Sequence, residues 1–132
     1  MKVGHIAVST PDLNKSVEFY KLLGGEPVME DVFECGDGRS EHIIHMKFDG
    51  ETTVELIQPS HDDMIAYGTG IIQHLCFEVE NVDETVAMLR SKGVDSFAED
   101  EPHIEPIFGG IRVMFLEGPG GESIELLQNL AE

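Results

Sequence analysis

Residues 4–8, Gly-His-Ile-Ala-Val, return 69 positions later as residues 73–77, Gln-His-Leu-Cys-Phe. Val54-Glu55-Leu56-Ile57-Gln58-Pro59 returns as Ile124-Glu125-Leu126-Leu127-Gln128-Asn129, at a shift of 70. Between them, Leu13, Val17, Tyr20 and Gly24 shift by 69 onto Val82, Val86, Leu89 and Gly93. Elements that keep one order at one shift confine the chain to a fold built twice from one unit. The i, i+4, i+7 spacing sets each apolar trio on one helical face, and each glycine falls where a helix ends in a left-handed residue. Thr10-Pro11 predicts an N-cap with proline at N1, and Asn81 with Glu84 predicts a capping-box pair.

Each half therefore reads as strand, helix and a strand-rich tail. In the first half the tail strands are expected at 28–35, 41–48 and 52–58, with Asp-Gly hairpin turns at Asp37-Gly38 and Asp49-Gly50. In the second half they are expected at 95–98, 111–116 and 122–127, with Gly118-Pro119-Gly120-Gly121 as the last turn. Residues 60–70 form the join, and 99–110, with two prolines and two glycines, reads as a long loop able to cover a site. The expected fold class is α+β, two repeated β-α-β-β-β modules in a single domain over 1–132. Module 1 lies at about 1–59 and module 2 at about 71–129.

Strand parity then sorts the polar side chains. With Ile6 and Val8 on one face of the first strand, His5 and Ala7 share the other, and by the repeat so do His74 and Cys76. With Val54 and Leu56 packed on the helix, Glu55 takes the opposite face with Ile57, and Glu125 follows with Leu127. Each half thus places one histidine and one glutamate on the face away from its helix. Two imidazoles and two carboxylates suit a borderline divalent cation such as Zn, Ni, Co, Fe or Mn. A carboxylate flanked by apolar residues is costly unless paired or coordinated.

Eight Lys and Arg against 26 Asp and Glu leave a net charge of −18. That sign repels phosphate backbones and anionic lipid headgroups, so neither nucleic acid nor membrane is an expected partner. No apolar run reaches the roughly 18 residues of a membrane span, and the start carries no signal-peptide pattern. Cys35 and Cys76 read as two free thiols, so a cytoplasmic location is expected.

Other candidates read as structural or solvated. His42 and His45 lie three apart on one expected strand, face opposite ways and do not chelate one ion together; both read as structural or exposed. His61 falls in the join, and His103 and Glu105 in the long loop. Cys76 reads as a buried thiol that nothing activates. The stretch 118–121 precedes a strand and lacks lysine, so it is no phosphate cradle.

The paired units with His5, Glu55, His74 and Glu125, and the stretches 74–79 and 121–126, resemble the vicinal oxygen chelate superfamily. Its members include glyoxalase I, methylmalonyl-CoA epimerase, extradiol dioxygenases and fosfomycin- and bleomycin-resistance proteins. The resemblance implies two modules forming a cup-shaped mixed sheet around one divalent metal ion, held by His5, Glu55, His74 and Glu125. It implies a lyase or isomerase of the glyoxalase I type acting on a small molecule. There the metal stabilises an enediolate, and Glu125 or Glu55 moves the proton next to the carbonyl. Glyoxalase I carries an arginine four residues after the first histidine and an asparagine four after the first glutamate. Here these are Ser9 and Pro59, which disfavours glutathione. Residues 55–59 are more similar to the methylmalonyl-CoA epimerases, the alternative reading; a small-molecule binding or resistance protein is a third. A homodimer is also expected from the resemblance.

Overall fold

The structure is a computed structural model describing residues 5–65, 72 and 74–131. Gly4 and Gln73 of the repeat, and 66–70 of the join, lie outside the described residues. The first half runs β1 (Ile6–Ser9), α1 (Leu13–Leu22), β2 (Glu26–Gly36), β3 (Arg39–Phe48) and β4 (Thr52–Pro59), then a short 3-10 turn at Asp62–Met64. The second runs β5 (Leu75–Glu78), α2 (Val82–Ser91), β6 (His103–Glu105), β7 (Ile111–Glu117) and β8 (Ser123–Asn129). Two four-stranded sheets result, ordered β1-β4-β3-β2 and β5-β8-β7-β6. In each, the first pair is parallel and the others antiparallel. The architecture is α+β, one β-α-β-β-β pattern used twice. The chain divides into two compact units, one holding β1–β4 and α1 with the segment Pro119–Gly121, the other holding β5–β8 and α2.

The apolar stripes behave as their periodicity requires. Leu13, Val17 and Tyr20 are buried beneath α1, and Val82, Val86 and Leu89 beneath α2. Helix α1 packs on β3 and β4, covering Ile44, Met46, Val54 and Leu56; α2 packs on β7 and β8, covering Met114, Leu116, Ile124 and Leu126. Both helices close alike. Gly24 and Gly93 have φ of 94° and 91°, and their N–H groups donate to Lys21 and Arg90 carbonyls at 3.0 Å. The next residues, Gly25 and Val94, reach back to the Tyr20 and Leu89 carbonyls at 2.9 and 3.1 Å, the double closure of a Schellman end. β2, an edge strand, leaves Val28, Met29, Val32 and Phe33 exposed.

Helix starts show one agreement and one correction. Asn81 is the N-cap of α2, accepting from the Glu84 N–H at 3.0 Å. The N-cap of α1 is Asp12 rather than Thr10, its carboxylate accepting from the Lys15 N–H at 3.0 Å. Thr10 is buried instead. It accepts hydrogen bonds from the Asp12 N–H at 3.2 Å and the Ser16 hydroxyl at 2.8 Å, which ties the loop down before the helix begins. A second, repeat-related cap comes from the sheets. Gln58 Oε1 on β4 accepts from the Leu13 N–H at 2.8 Å, and Gln128 Oε1 on β8 accepts from the Val82 N–H at 3.0 Å.

The largest departure lies between α2 and β7. Residues 95–98 form no strand; Phe97 makes a single bridge to Leu116, and the edge strand beside β7 is β6, inside the expected long loop. Arg90 explains the shift. Its guanidinium lies 5.0 Å over the Phe97 ring and donates to the Asp100 carbonyl at 2.6 Å, so α2 holds this stretch. Pairing resumes past Pro102 and stops at Pro106, the positions at which an edge strand tolerates proline. Among the described residues no helix is long and apolar enough to cross a membrane.

Replacing Gln128 by Leu leaves the Val82 N–H without its acceptor. Urea unfolding is expected to show a loss of about 1 kcal/mol, and Gln58→Leu a similar loss at α1. Unchanged midpoints in both variants would contradict the cap assignment.

Candidate metal centre

In the first unit, the parallel register of β1 and β4 sets Ala7 beside Glu55. His5, two residues before Ala7, shares that face, turned away from α1. The β3–β4 hairpin supplies a third group. Its turn carries Asp49 and Gly50 at φ of 49° and 70°, closed by Glu51 N–H donating to the Phe48 carbonyl at 3.0 Å. Two successive positive φ values match the twist of antiparallel strands and hold one register. That register puts His45 directly opposite Glu55. His45 Nε2 lies 2.7 Å from Glu55 Oε2, and His5 Nε2 lies 3.5 Å from the same oxygen. One ligand atom from each of His5, His45 and Glu55 falls within 4.8 Å of the others. The Glu55 side chain is only 15% exposed, so it has lost most of its water and needs these partners.

The second unit repeats the arrangement with one change. Cys76 and Phe115 flank Glu125 across the β5–β8 and β7–β8 registers. His74 Nε2 lies 3.5 Å from Glu125 Oε1, and the Glu125 side chain is 13% exposed. Phe115 stands where the first unit has His45, its ring edge-on to His74 at 5.5 Å and 86°. Cys76 is exposed rather than buried. Partial desolvation by its surroundings, its hydrogen bond to Glu125 and the charges of Glu125 and Glu78 push its thiol pKa up to about 12. The thiol hydrogen-bonds the Glu125 carboxylate.

The four residues expected from the sequence are thus brought together pairwise, His5 with Glu55 and His74 with Glu125. His42 is exposed and lies 3.5 Å from Glu30, off the cluster, as its parity requires. His61 is exposed and bonds Ser60 Oγ at 2.7 Å. His103 is held between Glu99 and Glu105 at 3.0 and 2.9 Å, a local carboxylate clamp. His45 is what the sequence reading missed. The signal lay in the hairpin: with residues 49–51 as its connection and Phe48 opposite Thr52, residues 45 and 55 are partners.

Imidazole nitrogens and carboxylate oxygens at these separations fit a borderline divalent cation, for which a mixed N/O set is suited. The profile of the Glyoxalase/Bleomycin resistance protein/Dioxygenase superfamily matches residues 4–115. The chain belongs to this superfamily. This is the vicinal oxygen chelate group, in which FosX has been solved in complex with Mn(II). Human mitochondrial methylmalonyl-CoA epimerase is 31% identical, over 96% of this chain and 73% of that protein. The mouse enzyme is 33% identical, over 96% and 72%. Among solved structures, a glyoxalase family protein from Bacillus cereus superposes with a TM-score of 0.79 at 18% identity, covering 99% of this chain and 95% of that one. The fosfomycin resistance protein FosX from Listeria monocytogenes, complexed with Mn(II), gives 0.67 at 16% identity, covering 97% and 92%. These two likenesses establish a shared fold.

Two outcomes follow for this vicinal oxygen chelate protein. A cation that binds only the folded chain stabilises it by about 2.7 kcal/mol when free metal is a hundredfold above its dissociation constant. Chelation is therefore expected to lower the melting temperature, and a melt indifferent to chelator would contradict the site. His103 contributes a pH dependence. Desolvation opposes its charge, but hydrogen bonds to Glu105 and Glu99 outweigh it and raise its pKa. A raised folded pKa contributes stability that is complete below about pH 6.5 and is lost as pH rises through the folded value. The stability difference between the wild type and His103→Gln is expected to shrink on that rise; a constant difference would refute the clamp.

Proposed function

We propose that this vicinal oxygen chelate protein is a divalent-metal-dependent isomerase that moves a proton on the carbon beside a carbonyl. Its proposed substrate class is a 2-substituted acyl thioester of the methylmalonyl-CoA kind. The observation that carries the reading is the repeat-related pair of His–Glu contacts, His5 with Glu55 and His74 with Glu125, both at 3.5 Å. Epimerisation takes a proton from one face of a carbon and returns one to the other, a task suited to two carboxylates. Similarity to the methylmalonyl-CoA epimerases over 96% of the chain supports that substrate class. Ser9 stands where a glyoxalase I arginine would grip glutathione, which weighs against the glyoxalase lyase reaction.

His5 with Glu55, and His74 with Glu125, are the proposed ligand pairs, and a bound cation would supply Lewis-acid stabilisation of negative charge on the substrate's carbonyl oxygen. Glu125 is assigned as the base that takes the proton from the adjacent carbon. The Cys76 thiol, hydrogen-bonded to that carboxylate, keeps it oriented without competing for the substrate. Glu55, the equivalent group of the first module, is the partner that returns a proton. Both side chains are mostly buried.

Incubation of the metal-loaded protein with methylmalonyl-CoA in heavy water is expected to place deuterium at the carbon between the two carbonyls. Methylglyoxal with a thiol is expected to give no turnover. Glu125→Gln keeps a weaker oxygen ligand but no base, so it is expected to retain metal and lose turnover by roughly 10²-fold or more. Near-full activity in that variant would remove Glu125 from its role. Thiohemiacetal conversion would return the protein to the lyase reading, and oxygen consumption would move it to the dioxygenases.

A further inference from the structure

The two modules differ in one donor. At a shift of 70, His45 on β3 corresponds to Phe115 on β7, and each stands directly across from its module's glutamate. In the second module the aromatic ring can only pack against His74. In the first, an imidazole reaches the carboxylate more closely than His5 does, 2.7 against 3.5 Å.

We propose that His45 is a metal ligand, so that the first module alone offers three donors: His5 Nε2, His45 Nε2 and Glu55 Oε2. The inference deepens the metal reading above and rests on it for the cation itself. Its warrant is the geometry of convergence. Bonds of about 2.1 Å put neighbouring donors of an octahedral shell about 3.0 Å apart and opposite donors about 4.2 Å apart. The observed separations, 2.7 and 3.5 Å to Glu55 and all within 4.8 Å, match such a shell within a small adjustment of side-chain torsions.

The competing role is that of an outer histidine that hydrogen-bonds a ligating carboxylate and only orients it. Such a residue approaches the carboxylate from the side turned away from the ion. Here both imidazoles bring Nε2 to the same oxygen, Glu55 Oε2, and their ring centroids are 5.5 Å apart. The three donor atoms lie within 4.8 Å of one another. Two imidazoles and one carboxylate, carried just before β1 and on β3 and β4, form the mixed set that borderline divalent metals favour.

The test uses the full chain and two readouts besides activity. The metal-free wild type, His45→Phe and His42→Ala are titrated with Ni²⁺ by calorimetry. The imidazoles coupled to bound Cu²⁺ are then counted by pulsed electron paramagnetic resonance. His45→Phe copies the residue that the repeat itself places in the second module. It is expected to weaken Ni²⁺ binding at least tenfold and to lower the imidazole count by one. His42→Ala, on the opposite face, is expected to change neither. A lowered affinity with an unchanged count overturns the proposal, because His45 would then only orient Glu55. If the phenylalanine variant does not fold by circular dichroism, His45→Gln is put to the same count with the same two outcomes. A wild type that takes up neither metal overturns the reading of the whole site. A wild type that binds with a count indifferent to residue 45 overturns the role of His45 alone.

Discussion

The parallel pairing of β1 with β4, and of β5 with β8, holds the candidate site in place. A parallel pair cannot be closed by a tight turn, and here the chain crosses over through a helix and two intervening antiparallel strands. That crossover covers one face of each sheet and buries Val54 and Leu56, or Ile124 and Leu126, beneath the helix. Because side chains alternate, Glu55 and Glu125 are committed to the other face. Moving either carboxylate would require a one-residue slip that turns the apolar set outward, which the core forbids. The position of the acids is thus set by the burial of their neighbours.

The electrostatic cost of that placement is considerable. Glu55 and Glu125 have side chains 15% and 13% exposed in a chain of net charge −18. Few cationic side chains are present to offset them, and several are engaged elsewhere. Arg39 pairs with Asp63, Arg112 with Asp83, and Arg90 with backbone carbonyls beside Phe97. Histidines fill the gap: neutral imidazoles can donate a hydrogen bond to the carboxylate, or offer a lone pair to an ion that neutralises it. Structure and chemistry meet here, since what relieves the buried carboxylates is also what a divalent cation requires.

The same geometry accounts for what could be read in advance and what could not. The helix faces were legible because burial and period 3.6 coincide in Leu13, Val17 and Tyr20 and again in Val82, Val86 and Leu89. The hairpins at Asp37-Gly38 and Asp49-Gly50 were legible because few residues tolerate the backbone such turns need. Thr10 was misassigned since Asp12, nearer the apolar stripe, competes for the same amide groups. Strand 95–98 failed because Arg90 on α2 holds that segment, a contact across sequence that no local pattern carries. Cys76 proved exposed because alternation gives a face, while solvent access depends on what else covers it.

By itself the sequence determined the repeated β-α-β-β-β plan, the helix faces and the His–Glu pair in each half. These follow from periodicity, turn chemistry and parity, all of which act between near neighbours in the chain. Tertiary structure decided which third side chain joins Glu55, how far each imidazole stands from its carboxylate, and where the edge strand before β7 forms. Those depend on register between strands and on contacts such as Arg90 with Phe97. The imidazole of His45 meets Glu55 only because the connection over residues 49–51 sets Phe48 opposite Thr52, while the register of the second module brings Phe115 to Glu125.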